Sequence, residues 1–113
     1  MNDFLFVYRG SAPPASPDQA QQRMQKWANW LKELADHGHV RDAGHPLEQA
    51  GKTVKGHNKH VTDGPYAETK DIIGGYSIIS ARDLGHAAEL SKGCPIFEFG
   101  GQVEVRPIMT MNM

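Results

Sequence analysis

The sequence predicts an α+β protein in which an antiparallel sheet carries two helices on one of its faces. Strand and helix patterns follow one another in the order strand, helix, strand, hairpin, strand, helix, strand, with no repeat and no linker. Two helices separated by antiparallel strands are typical of a ferredoxin-like α/β sandwich. The length of 113 residues corresponds to one domain.

The first two elements have the clearest patterns. Residues 4–8 (Phe-Leu-Phe-Val-Tyr) form an aromatic and β-branched run that is apolar on both faces, which indicates a central strand covered on both sides. A helix is predicted to begin at Ser16, a capping residue, with Pro17 in its first position. Apolar residues then recur at three- and four-residue spacing over residues 20–35, and Gly38 ends the helix.

Short strands broken by turns are predicted for the middle of the chain. Residues 40–47 include a glycine and a proline, and this favours an edge strand or an irregular one. Residues 52–55 and 59–63 flank a Gly-His-Asn sequence and predict a hairpin. Residues 63–66 (Asp-Gly-Pro-Tyr) are a strong turn signal.

Three further elements complete the domain. An alternating strand is predicted over residues 72–81, a short helix over 83–92 and a closing strand over 102–108. Gly74 and Gly75, at the start of the first of these strands, indicate a β-bulge or a close approach of the backbone by a ligand or a partner.

The chain is hydrophilic for a single domain, with 39% apolar residues and a mean hydropathy of -0.53. Two helices cover only one face of the sheet, and the first strand presents large apolar side chains on the other face as well. A bare apolar patch of this kind usually marks an interface. We therefore expect one domain over residues 1–108, a loose tail over 109–113, and a homodimer joined sheet to sheet.

Composition excludes several classes of protein. The 12 Lys and Arg residues against 13 Asp and Glu residues give a net charge of -1, which argues against a direct nucleic-acid binder. No run approaches the ~20 apolar residues of a membrane span, and the N-terminus lacks the pattern of a signal peptide. Cys94 is the only cysteine, so we expect neither a disulfide nor a thiolate zinc site. The expectation is a cytoplasmic protein without a metal or a cofactor.

Residues 62–76 carry a specific motif. The run Thr-Asp-Gly-Pro-Tyr-Ala-Glu-Thr-Lys-Asp at 62–71, followed by Gly-Gly-Tyr at 74–76, resembles the signature of DGPF-domain proteins within the YCII-related family. Tyr66 stands where that signature has Phe. The second helix, the Cys-Pro pair after it and the last strand also fit the family. The resemblance therefore covers about residues 3–108.

The resemblance implies a dimeric α+β barrel, in which two ferredoxin-like protomers face each other through their sheets and enclose a cleft. The group is similar to muconolactone isomerase-like enzymes and includes a dehalogenase-type member, while DGPF proteins often occur beside sigma factors or fused to them. Better-studied members carry a His in the first helix that pairs with an Asp as an acid/base dyad. Here that His position falls near Trp27, so the dyad is not carried over, and Asp63 is the nearest match for the Asp.

Asp63 and His45 are the candidates for catalysis. A carboxylate at a strand end facing a dimer cleft can act as a general base. The alternative is a structural turn in which the side chain of Asp63 accepts backbone N–H bonds. His45 lies on the irregular strand near the cleft, and imidazole is the side chain that ordinarily titrates near neutral pH.

The candidates for ligand binding are polar or aromatic side chains of the signature loop, the first strand and the first helix: Tyr66, Glu68, Thr69, Lys70, Arg9 and Trp27. The loop offers an acid, a hydroxyl and a cation within three residues, which suits a small polar or carboxylate-bearing ligand; the alternative is a solvated loop with a weak surface ion pair. Arg9 can meet an anion. Trp27 is either a core residue or a ligand wall, whereas Trp30 is expected to cover the helix edge.

Two functions follow from these observations. The first is a homodimer that binds a small molecule in the inter-sheet cleft, with acid/base chemistry of the lyase or isomerase type. The alternative is a non-catalytic interaction module associated with sigma-factor-type transcriptional signalling.

Overall fold

The predicted α+β class is confirmed by a computed structural model, which describes residues 1–64 and 71–111. The elements, in chain order, are β1 (Asn2–Arg9), α1 (Pro17–Asp36), β2 (Val40–Asp42), β3 (Lys52–Lys55), β4 (His60–Asp63), β5 (Ile73–Ala81), α2 (Leu84–Ser91), a 3-10 helix (Pro95–Phe99) and β6 (Gln102–Pro107). The 3-10 helix is an addition to the predicted elements, and it begins with a proline, whose fixed φ suits a first helical position.

The main sheet has four antiparallel strands in the order β2-β5-β1-β6. The strand β1 is central, as its doubly apolar pattern predicts, and β2 lies at an edge. With α1 following β1 and α2 following β5, this strand order is that of a ferredoxin-like sandwich.

Local sequence sets the ends of both helices. The hydroxyl of Ser16 accepts a hydrogen bond from the backbone N–H of Gln19 at 3.1 Å, and the carboxylate of Asp83 accepts one from the N–H of His86 at 2.8 Å. Such side chains satisfy N–H groups that the helix leaves without a partner. Gly38, with a φ of 78°, follows the C-terminal end of α1 in the left-handed conformation that glycine adopts without strain.

Both helices pack on the same face of the sheet. Phe6 and Ile79 are fully buried on this face, and α1 places Trp30 and Leu34 against it while α2 contributes Ala87. The expectation that Trp30 covers the helix edge is wrong, because only 7% of Trp30 is exposed. Its ring stacks near that of Phe6, with the ring centroids 6.4 Å apart.

The opposite face of the sheet has an apolar centre that no helix of the described chain covers. By the strand register, Leu5 and Val7 of β1 share this face with Tyr76 and Ile78 of β5. Charged side chains flank the centre and form ion pairs, from Arg9 to Glu104 at 2.9 Å and from Arg41 to Asp3 at 3.6 Å.

The predicted hairpin forms a separate two-stranded sheet, β3–β4, which we call the arm. Its turn contains Gly56 and Lys59, both with positive φ. Val54 and Val61, a cross-strand pair, are 61% and 53% exposed. The radius of gyration is 15.6 Å, against roughly 13 Å for a globular chain of this length, so the molecule is extended. Among the described residues, no helix is long and apolar enough to cross a membrane.

Candidate functional site

A cavity of about 450 Å³ lies between α1 and one end of the main sheet, on the helical face. Its walls come from the middle of α1, from the adjoining ends of β1 and β5, from the loop that follows β2 and from the 3-10 helix. The lining is mostly apolar, and its principal side chains are Tyr8, Met24, Trp27, Leu31 and Ile96.

Two glycines of β5 keep the sheet side of the cavity open. The pairing of β1 with β5 shifts between Tyr8 and Arg9, so that Tyr8 lies opposite Gly75, Arg9 lies opposite Ile73, and Gly74 is the extra residue. This confirms the predicted bulge. A Cβ on Gly75 would come within 3.0 Å of the carbonyl oxygen of His45, so the missing side chain also lets the loop after β2 approach the strand.

The loop after β2 forms the rim of the cavity and is held along β5. The carboxylate of Asp42 accepts a hydrogen bond from the N–H of Gly44 at 2.8 Å, and the N–H of Leu47 donates to the carbonyl of Gly74 at 2.8 Å. Gly44 has a φ of 73°, and a Cβ there would overlap the carbonyl group of Tyr76. These contacts fix His45, whose ring centroid lies 6.3 Å from that of Tyr76.

Aromatic rings form one wall of the cavity. The ring of Trp27 meets that of Tyr8 edge to face, at a centroid distance of 4.6 Å, and that of Trp30 at 5.8 Å. Trp27 is half-buried and lines the cavity, whereas Trp30 belongs to the packed core. The sequence left a core role and a ligand wall open for Trp27, and the structure places it at the boundary between core and cavity.

A short hydrogen-bond chain crosses the inner end of the cavity. The hydroxyl of Tyr8 donates to Oγ of Ser77 at 2.8 Å, and Oγ of Ser77 donates to the carbonyl of Ala43 at 2.7 Å. Removal from water raises the pKa of Tyr8 well above its ordinary value, and the bond to Ser77 opposes this shift only in part. The Tyr8 phenol is therefore neutral at physiological pH.

Two arginines lie at the edge of the cavity, and the side chain of one of them, Arg9, extends toward the open face of the sheet. Arg9 is ion-paired with Glu104 and donates to the carbonyl of Asp71 at 3.4 Å. The guanidinium of Arg23 lies 3.8 Å from the ring centroid of Phe99 and donates to the carbonyl of Ala12. The Nε atoms of both arginines are buried and have no hydrogen-bond partner among the residues that the structure describes. Positive groups of this kind favour an anionic ligand.

The structure brings together three of the residues that the sequence singles out. Arg9, Trp27 and His45 all line the cavity. Asp63 does not line it: its side chain, on the arm, is 93% exposed and bonds to Nζ of Lys52 at 2.6 Å. The remaining four, Tyr66, Glu68, Thr69 and Lys70, lie outside the described residues.

Sequence reasoning missed the inner polar residues and Arg23. Ser77 offered a signal, because it is a polar residue at a position of β5 that the alternation assigns to the helical face. Tyr8 offered none, since an apolar role explains an aromatic residue in a central strand. Arg23 lies on the side of α1 that the amphipathic pattern assigns to solvent. It reaches the cavity because this side of the helix faces the loop that precedes it.

Cys94 has the environment of an inert core thiol. It is buried, and burial raises the pKa of its thiol to about 12, so the reactive thiolate is suppressed. Within residues 1–64 and 71–111, no three His, Cys, Asp or Glu side chains come together in a way that could hold a metal ion.

Comparisons with known proteins agree with the motif. The model of the YCII-related domain matches residues 4–112. No curated protein matches the sequence significantly. Among solved structures, the chain is similar to 5-chloro-2-hydroxyhydroquinone dehydrochlorinase from Burkholderia phenoliruptrix, in complex with 2,5-dihydroxybenzoquinone, with 19% identity, 89% of this chain and 90% of that chain covered, and a TM-score of 0.39. Because the family model spans nearly the whole sequence, the chain belongs to the YCII-related domain family.

Proposed function

We propose that the protein binds a small organic anion with an apolar body in the cavity between α1 and the sheet. The observation that carries this proposal is the combination of apolar walls, a volume of about 450 Å³ and the guanidinium group of Arg23 beside the cavity. Ligand sites for small molecules are usually preformed cavities of about 300–1,000 Å³ with apolar walls and few polar groups. The cavity has these properties.

This proposal puts the ligand on the other side of the sheet from the inter-sheet cleft that the sequence favours. The centre of the open face is formed by side chains that already cover one another, and Val7 is only 8% exposed there. The helical side instead has space next to glycine backbone at Gly74 and Gly75. An apolar ligand gains more free energy by filling such space than by lying on a closed surface.

The experiment is calorimetric titration with 2-naphthoate, an apolar anion that fits the volume, and with naphthalene-2-carboxamide as its neutral counterpart. We expect the anion to bind more tightly. Leu31→Trp or Met24→Trp, which add a ring inside the cavity or at its mouth, should weaken binding at least tenfold. Val54→Trp adds the same ring on the arm and is the matched control. Equal binding by all three variants would contradict the assignment of the cavity.

For acid/base chemistry, His45 is favoured over Asp63, because His45 lies in the loop at the rim of the cavity with its ring beside that of Tyr76, whereas the side chain of Asp63 is on the arm. The probe is phenylpyruvate, whose benzylic C–H exchanges through an enol: a base takes the proton and returns a deuteron from D2O. We expect exchange above the buffer rate, a drop of about 10²-fold or more in His45→Gln, and no change in Asp63→Asn. An unchanged rate in His45→Gln would exclude this role.

We also propose that the open face of the sheet joins two copies of the chain in a cytoplasmic homodimer. Leu5, Val7, Tyr76 and Ile78 give this face an apolar centre, and its rim carries charges of both signs, so the face can pack against itself. Ile78→Arg should produce monomers in analytical ultracentrifugation, whereas Val61→Arg, on the arm, should leave the association unchanged. A dimer that survives Ile78→Arg would contradict this interface.

The arm favours the alternative, an interaction module in sigma-factor-type signalling. An isolated two-stranded hairpin is at best marginally stable in water, and this one exposes Val54 and Val61. The discriminating experiment is a pull-down with an extracytoplasmic-function sigma factor as the probe. Binding that is lost in Val54→Asp and kept in Leu31→Trp would support the module, while binding that is independent of the arm would not.

A further inference from the structure

The direction of the hydrogen bonds at the inner end of the cavity is fixed by chemistry. The carbonyl oxygen of Ala43 can only accept, so the hydrogen in its bond with Ser77 must come from the Ser77 hydroxyl. A serine hydroxyl has one hydrogen. Oγ of Ser77 can therefore act only as the acceptor in its bond with Tyr8, and the Tyr8 hydroxyl must donate.

This direction leaves the Tyr8 oxygen as an acceptor without a free hydrogen. Tyr8 is 6% exposed, Ser77 is 1% exposed, and both line the cavity. Burial also keeps the phenol neutral, since removal from water raises its pKa. The Tyr8 oxygen can therefore accept a hydrogen bond from a ligand group but has no free hydrogen to donate to it.

We propose that Tyr8 selects ligands that carry a hydrogen-bond donor, a hydroxyl or an amino group, at the end of the apolar body that enters the cavity. The ligand class is then an aromatic or alicyclic hydroxy acid or amino acid, with its anionic group toward Arg23 and its donor toward Tyr8. An ether or carbonyl oxygen at the inner end would face the Tyr8 lone pairs and be rejected. Ser77 acts through Tyr8 and is a positioning residue.

This inference rests on the proposed function, but its test separates the two. The probes are naphthalene-2-carboxylates that share one body and one anion and differ at position 6: hydroxy, amino, methoxy and hydrogen. If none of them binds, the cavity is not an anion site and the proposed function fails. If they bind with equal affinity, the proposed function stands and the role of Tyr8 fails.

On the wild-type protein we expect the hydroxy and amino probes to bind about tenfold more tightly than the methoxy and unsubstituted ones, the ratio for one added hydrogen bond. Tyr8→Phe keeps the ring against Trp27 and should bring all four probes within about threefold of one another. That loss tests the acceptor directly, because the apolar contacts are unchanged.

Ser77→Ala tests the direction of the chain. With the Ser77 oxygen removed, the Tyr8 hydrogen becomes free to point into the cavity and can donate to a methoxy oxygen. We expect the methoxy probe to gain affinity relative to the hydroxy probe, so that the tenfold preference shrinks to about threefold or less. A purely structural role for Ser77 would weaken all four probes by the same factor, and that result, or an undiminished preference in Tyr8→Phe, would overturn the proposal.

Discussion

The layer between α1 and the sheet is filled at one end and open at the other. At the filled end, Trp30 and Leu34 pack on Phe6 and Ile79. At the open end, one helical turn nearer the N-terminus, Trp27 and Met24 stand over the glycines of β5, and Met24 is 72% exposed. The same apolar stripe of α1 runs over both ends. What differs is the strand β5 beneath it, which provides the large side chain of Ile79 at the filled end and only Gly74 and Gly75 at the open end.

The cavity therefore results from the missing side chains of two glycines in the sheet and not from a change in the apolar stripe of α1. Cores of proteins are close-packed, and a space of this size costs stability unless a ligand or water fills it. We propose that the open end is a place where packing is given up for binding. Three predictions test whether the two ends of the layer differ in this way.

The largest difference should appear when large side chains are removed from the two ends. Phe6→Ala at the filled end should lower the free energy of unfolding by about 3–5 kcal/mol, because it leaves a cavity in a close-packed core. Met24→Ala at the open end should lower it by less than about 0.5 kcal/mol. Urea denaturation measures both. Similar losses would mean that the open end is packed like the rest of the core.

An intermediate effect is expected at the rim of the open end. Gly44→Ala puts a Cβ in the left-handed region and against the carbonyl of Tyr76, so we expect a loss of about 1–3 kcal/mol in thermal or urea unfolding. Gly56→Ala, in the arm, has a similar φ of 80° and an open space around its Cβ. It is the matched control for backbone strain alone. An equal loss of stability in the two variants would show that the rim shifts to accommodate the methyl group added at Gly44.

The smallest effect concerns pH at the filled end, within the first pH unit above 9.0. The Cys94 thiol ordinarily ionises at pH 9.0, and burial raises its pKa to about 12 in the folded chain. Its contribution to stability is complete below pH 9.0 and is lost as the pH rises toward 12, because only the unfolded chain then releases the proton. The slope is at most about 1.4 kcal/mol per pH unit. Cys94→Ala should flatten the fall in the urea midpoint above pH 9.0, and an unchanged slope would contradict the assignment.

Much of the fold follows from local sequence patterns. The doubly apolar β1 predicts a central strand, the Ser-Pro pair predicts the start of α1, and the alternation in β5 predicts which of its residues share a face. Each of these patterns is formed by residues that are close together in the sequence. The position of Trp30 was not predicted, because two tryptophans three residues apart lie on the same side of a helix and their burial depends on what the sheet offers beneath each one.

The site was predictable only in part. Arg9 was named from the end of the first strand, Trp27 from the apolar stripe of the first helix and His45 from the irregular strand, and all three are lining residues of the cavity. The contact between Tyr8, Ser77 and Ala43 joins residues that are far apart in the chain, and its direction depends on which atoms can donate. The spacing of residues in the sequence predicts neither this contact nor the direction of its hydrogen bonds. Asp63 shows the opposite case, since a strong local motif gave no indication that its side chain would point into solvent on the arm.

The central claim is that the ligand lies on the helical side of the sheet rather than between two sheets. Methyl NMR during titration with 6-hydroxynaphthalene-2-carboxylate tests it most directly, since Met24 and Leu31 report on the cavity while Leu5 and Val7 report on the open face. We predict saturable shifts, and contacts to the probe, at the methyl groups of Met24 and Leu31. Shifts and contacts at Leu5 and Val7, with none at Met24 and Leu31, would contradict the account.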